Sequence, residues 1–124
     1  MIRYRTEANY LAHFAYFVEW PSSAFPNDRA PIVLCLRGNE AFGRTIQELT
    51  KDSAVQKRKI EVRVLKTVAL ARACHILFIG QEDSERYGKI FEAVRELPIL
   101  TVGESSDFLD SGGAVNFVFS NALL

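Results

Sequence analysis

His13 and His75, Cys35 and Cys74, and three glycines that close apolar runs (Gly38, Gly80 and Gly103) are the residues of this chain whose types could do chemistry. A metal centre needs histidine, cysteine or carboxylate ligands at fixed spacing. Neither histidine has such a neighbour, so both read as structural. None of the three glycines begins a G-x-G-x-x-G or G-x-x-x-x-G-K motif, and tight turns explain them. A receiver-type phosphoacceptor needs acidic residues at the first and third strand ends. Here those ends are Leu36-Arg37-Gly38 and Phe78-Ile79-Gly80. Ser111-Gly112-Gly113 lacks the G-x-S-x-G frame of a nucleophile elbow, and no histidine follows it. Glu82, Asp83 and Glu85 read as the solvated start of a helix. No catalytic residue, metal site or cofactor is expected, and the chain does not read as an enzyme. The two cysteines allow one disulfide and no structural zinc site. Composition alone favours buried free thiols in apolar strands and leaves a disulfide open.

A chain of 124 residues, 48% of them hydrophobic, supports one domain with a real core. Fifteen basic residues balance fifteen acidic ones. Zero net charge gives no electrostatic argument for nucleic acid or an anionic membrane. No apolar run reaches the length of about 18 residues that a membrane helix needs, so direct insertion is not expected. The first residues, Met1 to Glu7, carry no apolar signal core. Either the protein is cytoplasmic or an export signal lies outside this sequence.

The elements that would hold these residues are legible from periodicity. Ala8, Leu11, Ala12, Ala15 and Val18 recur at three- and four-residue steps and predict a helix over 4–19. Tyr10, Phe14 and Phe17 add a second apolar stripe, too wide an arc for one sheet face. Trp20-Pro21 ends the helix, and 21–31 reads as a loop. Strands are predicted at 32–37, 60–65, 74–79, 99–103 and 114–119. Cys74 to Gly80 is the run around which the rest is placed. Helices are predicted at 42–50 and from Asp83 or Ser84, as N-cap, to Leu97, with a short helical turn at 68–73. Residues 51–59 read as polar and exposed. Alternation of this kind predicts an α/β three-layer sandwich with a mostly parallel five-stranded sheet. The expected order is 2-1-3-4-5, with 60–65 at one edge.

Several stretches together resemble the YfiR family of periplasmic regulatory proteins. Tyr10 to Pro21, ending Val18-Glu19-Trp20-Pro21, is similar to its opening helix. Ile32 to Gly38 with Phe42-Gly43 resembles its first strand and turn. Cys74-His75-Ile76-Leu77-Phe78-Ile79, Leu100-Thr101-Val102-Gly103, and Phe108 with Gly112-Gly113 resemble later segments, in family order. The resemblance implies a non-enzymatic exported α/β protein. Its relatives bind the periplasmic sensor part of a membrane-bound diguanylate cyclase and hold it inactive, lowering cyclic-di-GMP signalling. It also implies a homodimer, a disulfide between Cys35 and Cys74, an export signal upstream, and a further strand and helix downstream. Residues 1–124 are therefore expected to be a single domain truncated at its C-terminus. The alternative is the ligand-sensing domain of a larger membrane sensor.

Two expectations about residues follow. The aromatic ridge of Tyr10, Phe14, Phe17 and Trp20 is the candidate partner interface, because aromatic anchors are enriched there. The disulfide carries a condition on register. If Gly38 and Gly80 end level, the cysteines are offset by three residues, ~10 Å at ~3.3 Å each. That exceeds the limit of about 7 Å for bridging. The bond is therefore expected to need strands that end out of step, with Cys74 beside Cys35.

Overall fold

The computed structural model describes residues 2–18, 20–37, 40–52, 54–55, 58–80, 87–104, 108–109 and 112–116. Helix α1 (Ile2–Phe17) opens the chain. Then come β1 (Ile32–Arg37), α2 (Glu40–Thr50), β2 (Ala54–Val55), β3 (Arg58–Val64), β4 (Ile76–Ile79), α3 (Tyr87–Val94), β5 (Leu100–Gly103) and β6 (Val115–Asn116). Short 3-10 turns lie at Ser22–Ala24 and Val68–Ala73.

The sheet order is β2-β3-β1-β4-β5-β6. Every neighbouring pair is parallel except β2 with β3. The expected α/β architecture and mostly parallel sheet are found. Among the described residues the sheet has six strands, not the five expected. Residues 54–55, read as an exposed polar connection, fold back antiparallel on Lys59 and Arg58. Strand β3 is therefore not the edge; β2 covers it, satisfying backbone groups that an edge strand leaves open. Of the last predicted strand, residues 117–119 lie outside the described residues. So do Asp83 and Ser84, the proposed N-cap of α3.

Two cores sandwich the sheet. On one face, Ala8, Leu11 and Ala15 of α1 and Phe42 and Ile46 of α2 meet Ile32, Leu34, Leu36, Ile76, Phe78 and Val102. On the other, Ile90 and Val94 of α3, Ala71 and Phe108 meet Val33, Cys35, Leu77 and Ile79. Strict alternation along β1 and β4 sends successive side chains to opposite faces, so both strands are buried throughout. Burying each Leu, Ile or Phe contributes about 1.5–3 kcal/mol.

Phe108 locks the second face. Its ring lies where a Cβ on Gly103 or Gly113 would have to go, so both positions need glycine for close approach. The Gly113 amide returns to the Phe108 carbonyl at 3.0 Å, and Gly112 has a φ of 119°. Buried Thr101 accepts the Ala114 amide on its hydroxyl at 3.0 Å, which fixes where β6 begins.

Candidate functional site

The chemistry-bearing residues gather at the amino-terminal edge of the sheet, not at the carboxyl ends where the fold class directs attention. Strand β4 begins at Ile76, two residues later than expected. Cys74 ends the 3-10 turn, and His75 makes the bend into the strand. The His75 backbone ties three strands together: its amide donates to Val33 at 2.8 Å, and its carbonyl accepts from Leu100 at 2.9 Å.

The imidazole is buried and used at both nitrogens. The Val33 amide donates to Nδ1 at 3.0 Å. Nε2 lies 3.0 Å from the Ala24 carbonyl. An accepting Nδ1 leaves the proton on Nε2, which donates to Ala24. The Phe25 ring stacks on the imidazole with centroids 4.4 Å apart, and the Trp20 indole meets it edge-on at 5.7 Å. The Arg58 guanidinium covers the far face of the cluster, 3.7 Å from the centre of the Phe25 ring. It also donates to the carbonyls of Asn27 at 2.9 Å and Ala30 at 2.8 Å. Burial pushes the His75 pKa below its ordinary value. The Ala24 hydrogen bond opposes that shift, and the Arg58 charge adds to it.

Cys35 and Cys74 are joined in a disulfide, with Cα atoms 5.9 Å apart. The register condition stated above is overturned. Arg37 pairs with Ile79 and Cys35 with Leu77, so the strands end level. The bond forms anyway because Cys74 is not in line with β4. The 3-10 turn packs through Ala71 on the same face as Cys35, and the chain bends at His75 to enter the strand. Cys74 reaches Cys35 from above the sheet, not from alongside it.

A hollow of about 460 Å³ opens beside this cluster. Phe25, Val33, Cys74, His75, Arg63 and Arg72 are among its walls. A second, of about 640 Å³, lies between α3 and the β5–β6 edge, walled by Phe91, Val94 and Thr101. At the carboxyl ends, buried Arg37 donates to the carbonyls of Leu65 at 3.2 Å and Lys66 at 2.8 Å, where it holds the exit of β3 against β1.

The aromatic ridge divides. Tyr10 is 54% exposed, whereas Phe14 and Trp20 are half-buried against the α1–α2 core. The Phe17 side chain lies outside the described part, as do Ser111 and the acidic cluster Glu82, Asp83 and Glu85. His13 is exposed on α1. Among the described residues, no group of three or more His, Cys, Asp or Glu could hold a metal, and no helix is long and apolar enough to cross a membrane. Phe25 and Arg58 were missed from the sequence. The available signal was an aromatic residue inside a proline-bounded loop.

The model of the YfiR/HmsC-like family matches residues 4–124. The chain belongs to that family. No curated protein matches it. Within this YfiR/HmsC-like chain, the Trp20-Pro21 and Cys74-His75 dipeptides, far apart in sequence, meet at one structural point: the Trp20 indole against the His75 ring.

Proposed function

We propose that this chain is a non-enzymatic periplasmic regulatory protein. It binds the periplasmic sensor part of a membrane-bound diguanylate cyclase and holds the enzyme inactive. Family membership over residues 4–124 carries this reading. Two features support it. The His75 imidazole, the most chemically capable buried group described, has both nitrogens engaged by backbone and serves the fold. A disulfide joining Cys35 and Cys74 suits an oxidising compartment.

The proposed contact surface is the α1 face around Tyr10. An exposed tyrosine on a helix anchored by Ala8, Leu11 and Ala15 offers a rigid aromatic contact at low entropic cost. The deciding experiment is genetic. Deleting the gene in its host should raise cellular cyclic-di-GMP, and restoring it should lower the level again. A Y10A chain should restore poorly while accumulating normally. Cyclic-di-GMP that ignores the gene in both directions would reject the proposal. A wild-type chain that sediments as a dimer, with Y10A monomeric, would assign this face to a second copy instead.

A further inference from the structure

We infer that the hollow of about 460 Å³ beside His75 is a binding site for a small carboxylate with an apolar body, its charge taken by Arg72 and its body lying against Phe25, Pro31 and Val33. This site goes beyond the cyclase reading and does not depend on it. Small-molecule sites fall in the range of about 300–1,000 Å³, are mostly apolar, and carry a few polar groups that orient the ligand. The hollow has that make-up. Val33, Cys74 and His75 are buried, and the His75 imidazole has both nitrogens on backbone. The segment 21–31 supplies Phe25, Pro26 and Pro31 as apolar walls, and Pro98 comes from the turn before β5.

Charge selects the ligand. Arg63 of β3 and Arg72 of the 3-10 turn line the hollow, and among the described residues no carboxylate does. Arg63 shares its guanidinium with Glu61 in an exposed pair that costs little to loosen. Arg72 is exposed, and among the described residues no carboxylate pairs with it. One open guanidinium and one shared one suit a single negative charge. A planar carboxylate accepts both donors along a guanidinium edge. The hollow beside α3 lacks this selectivity, because it carries Glu92 with Arg95. So does a third hollow, where Asp28 and Glu61 face Arg29 and Lys59. The site also stands ready before a ligand arrives. Arg72 lies two residues before Cys74, whose disulfide to Cys35 and amide bond to the Ala71 carbonyl at 3.0 Å fix the turn. Arg58 fixes the facing wall through Asn27, Ala30 and the Phe25 ring. Walls held in place lower the ordering cost of binding.

The test is an amide-detected NMR titration of the wild-type chain at neutral pH with two probes, phenylacetate and hexanoate, which separate a ring from a chain as the apolar body. Saturable shifts are expected at the amides of Val33, Ala73 and Cys74, with a Kd of about 1 mM or below for at least one probe. The tighter probe names the body. Phenylacetamide and hexanamide keep each body and lose the charge, and the amide of the tighter probe should bind roughly 5- to 10-fold more weakly than its acid. R72Q should weaken the acid by the same factor and leave the amide unchanged. Should R72Q fail to fold, the comparison of acid with amide on wild type decides by itself. Shifts that do not saturate, or that centre on Thr101 and Ala114 beside the other hollow, would overturn the site. So would an amide that binds as tightly as its acid, or a folded R72Q chain that binds the acid like wild type.

Discussion

His75 shows how a residue that looks catalytic can serve the fold. Its polar ring lies under the strand ends because both nitrogens find backbone partners there, which offsets the cost of burial. The consequence is a definite pH dependence of stability. The folded chain holds the imidazole neutral, with a lowered pKa, whereas the unfolded chain releases it to its ordinary value. The contribution is therefore complete above about pH 6.5 and declines as pH falls below that, by at most ~1.4 kcal/mol per unit. Urea unfolding at pH 7.5 and 5.5 checks the sign. A midpoint that rises on acidification would contradict it. Phe108 allows a second prediction at this scale. Gly113→Ala forces a methyl group into the ring, and overpacking of this kind costs about 1–3 kcal/mol. The urea midpoint of G113A should fall accordingly, and an unchanged midpoint would show that Phe108 can move aside.

The segment 21–31 is the element most dependent on contacts from elsewhere. It contains one 3-10 turn, and Pro21, Pro26 and Pro31 deny it a regular ladder. Arg58 compensates from β3 with two hydrogen bonds and a cation–π contact. Charge-assisted bonds of this kind are worth about 1.5–3 kcal/mol each. R58A should therefore open the segment at least ~10-fold more often. Exposed Arg29 lies within it, so trypsin cleavage after Arg29 reads the effect. Equal cleavage of R58A and wild type would show that the segment is held by other contacts. The hairpin of β2 with β3 makes the opposite point about elements. A stretch that looked like solvated connection is a strand because β3 offered it an open edge.

For the whole molecule, the disulfide is the longest-range covalent constraint. It joins residues 39 apart in sequence and encloses the end of β1, α2, β2, β3 and the turn after them. Chain-entropy arguments give a loop of this length about 4 kcal/mol of stabilisation. The unfolded, unreduced protein should show no reactive thiol, and reductant should lower the denaturation midpoint without changing the sheet content. Two reactive thiols per chain would mean that no such bond exists in solution. The α1 face makes the complementary prediction. Y10A should change stability by no more than about 0.5 kcal/mol, because an exposed side chain contributes little to the core. A larger loss would place Tyr10 in the fold and weaken its case as a contact residue.

The sequence by itself determined the layers. Apolar runs at 32–37 and 74–79 read as strands covered on both faces, and the stripes of Ala8, Leu11 and Ala15 and of Ile90 and Val94 read as helices covering them. Periodicity is a local property, and burial follows from it. The meeting of Trp20, Phe25, Arg58 and His75 was decided by the tertiary structure alone. Those residues come from a loop, a strand start and a bend, none of which has a period. The disulfide geometry was hidden for the same reason. A register argument treats Cys74 as part of a straight strand, whereas the chain arrives there from above the sheet, and the strand begins at Ile76, two residues later.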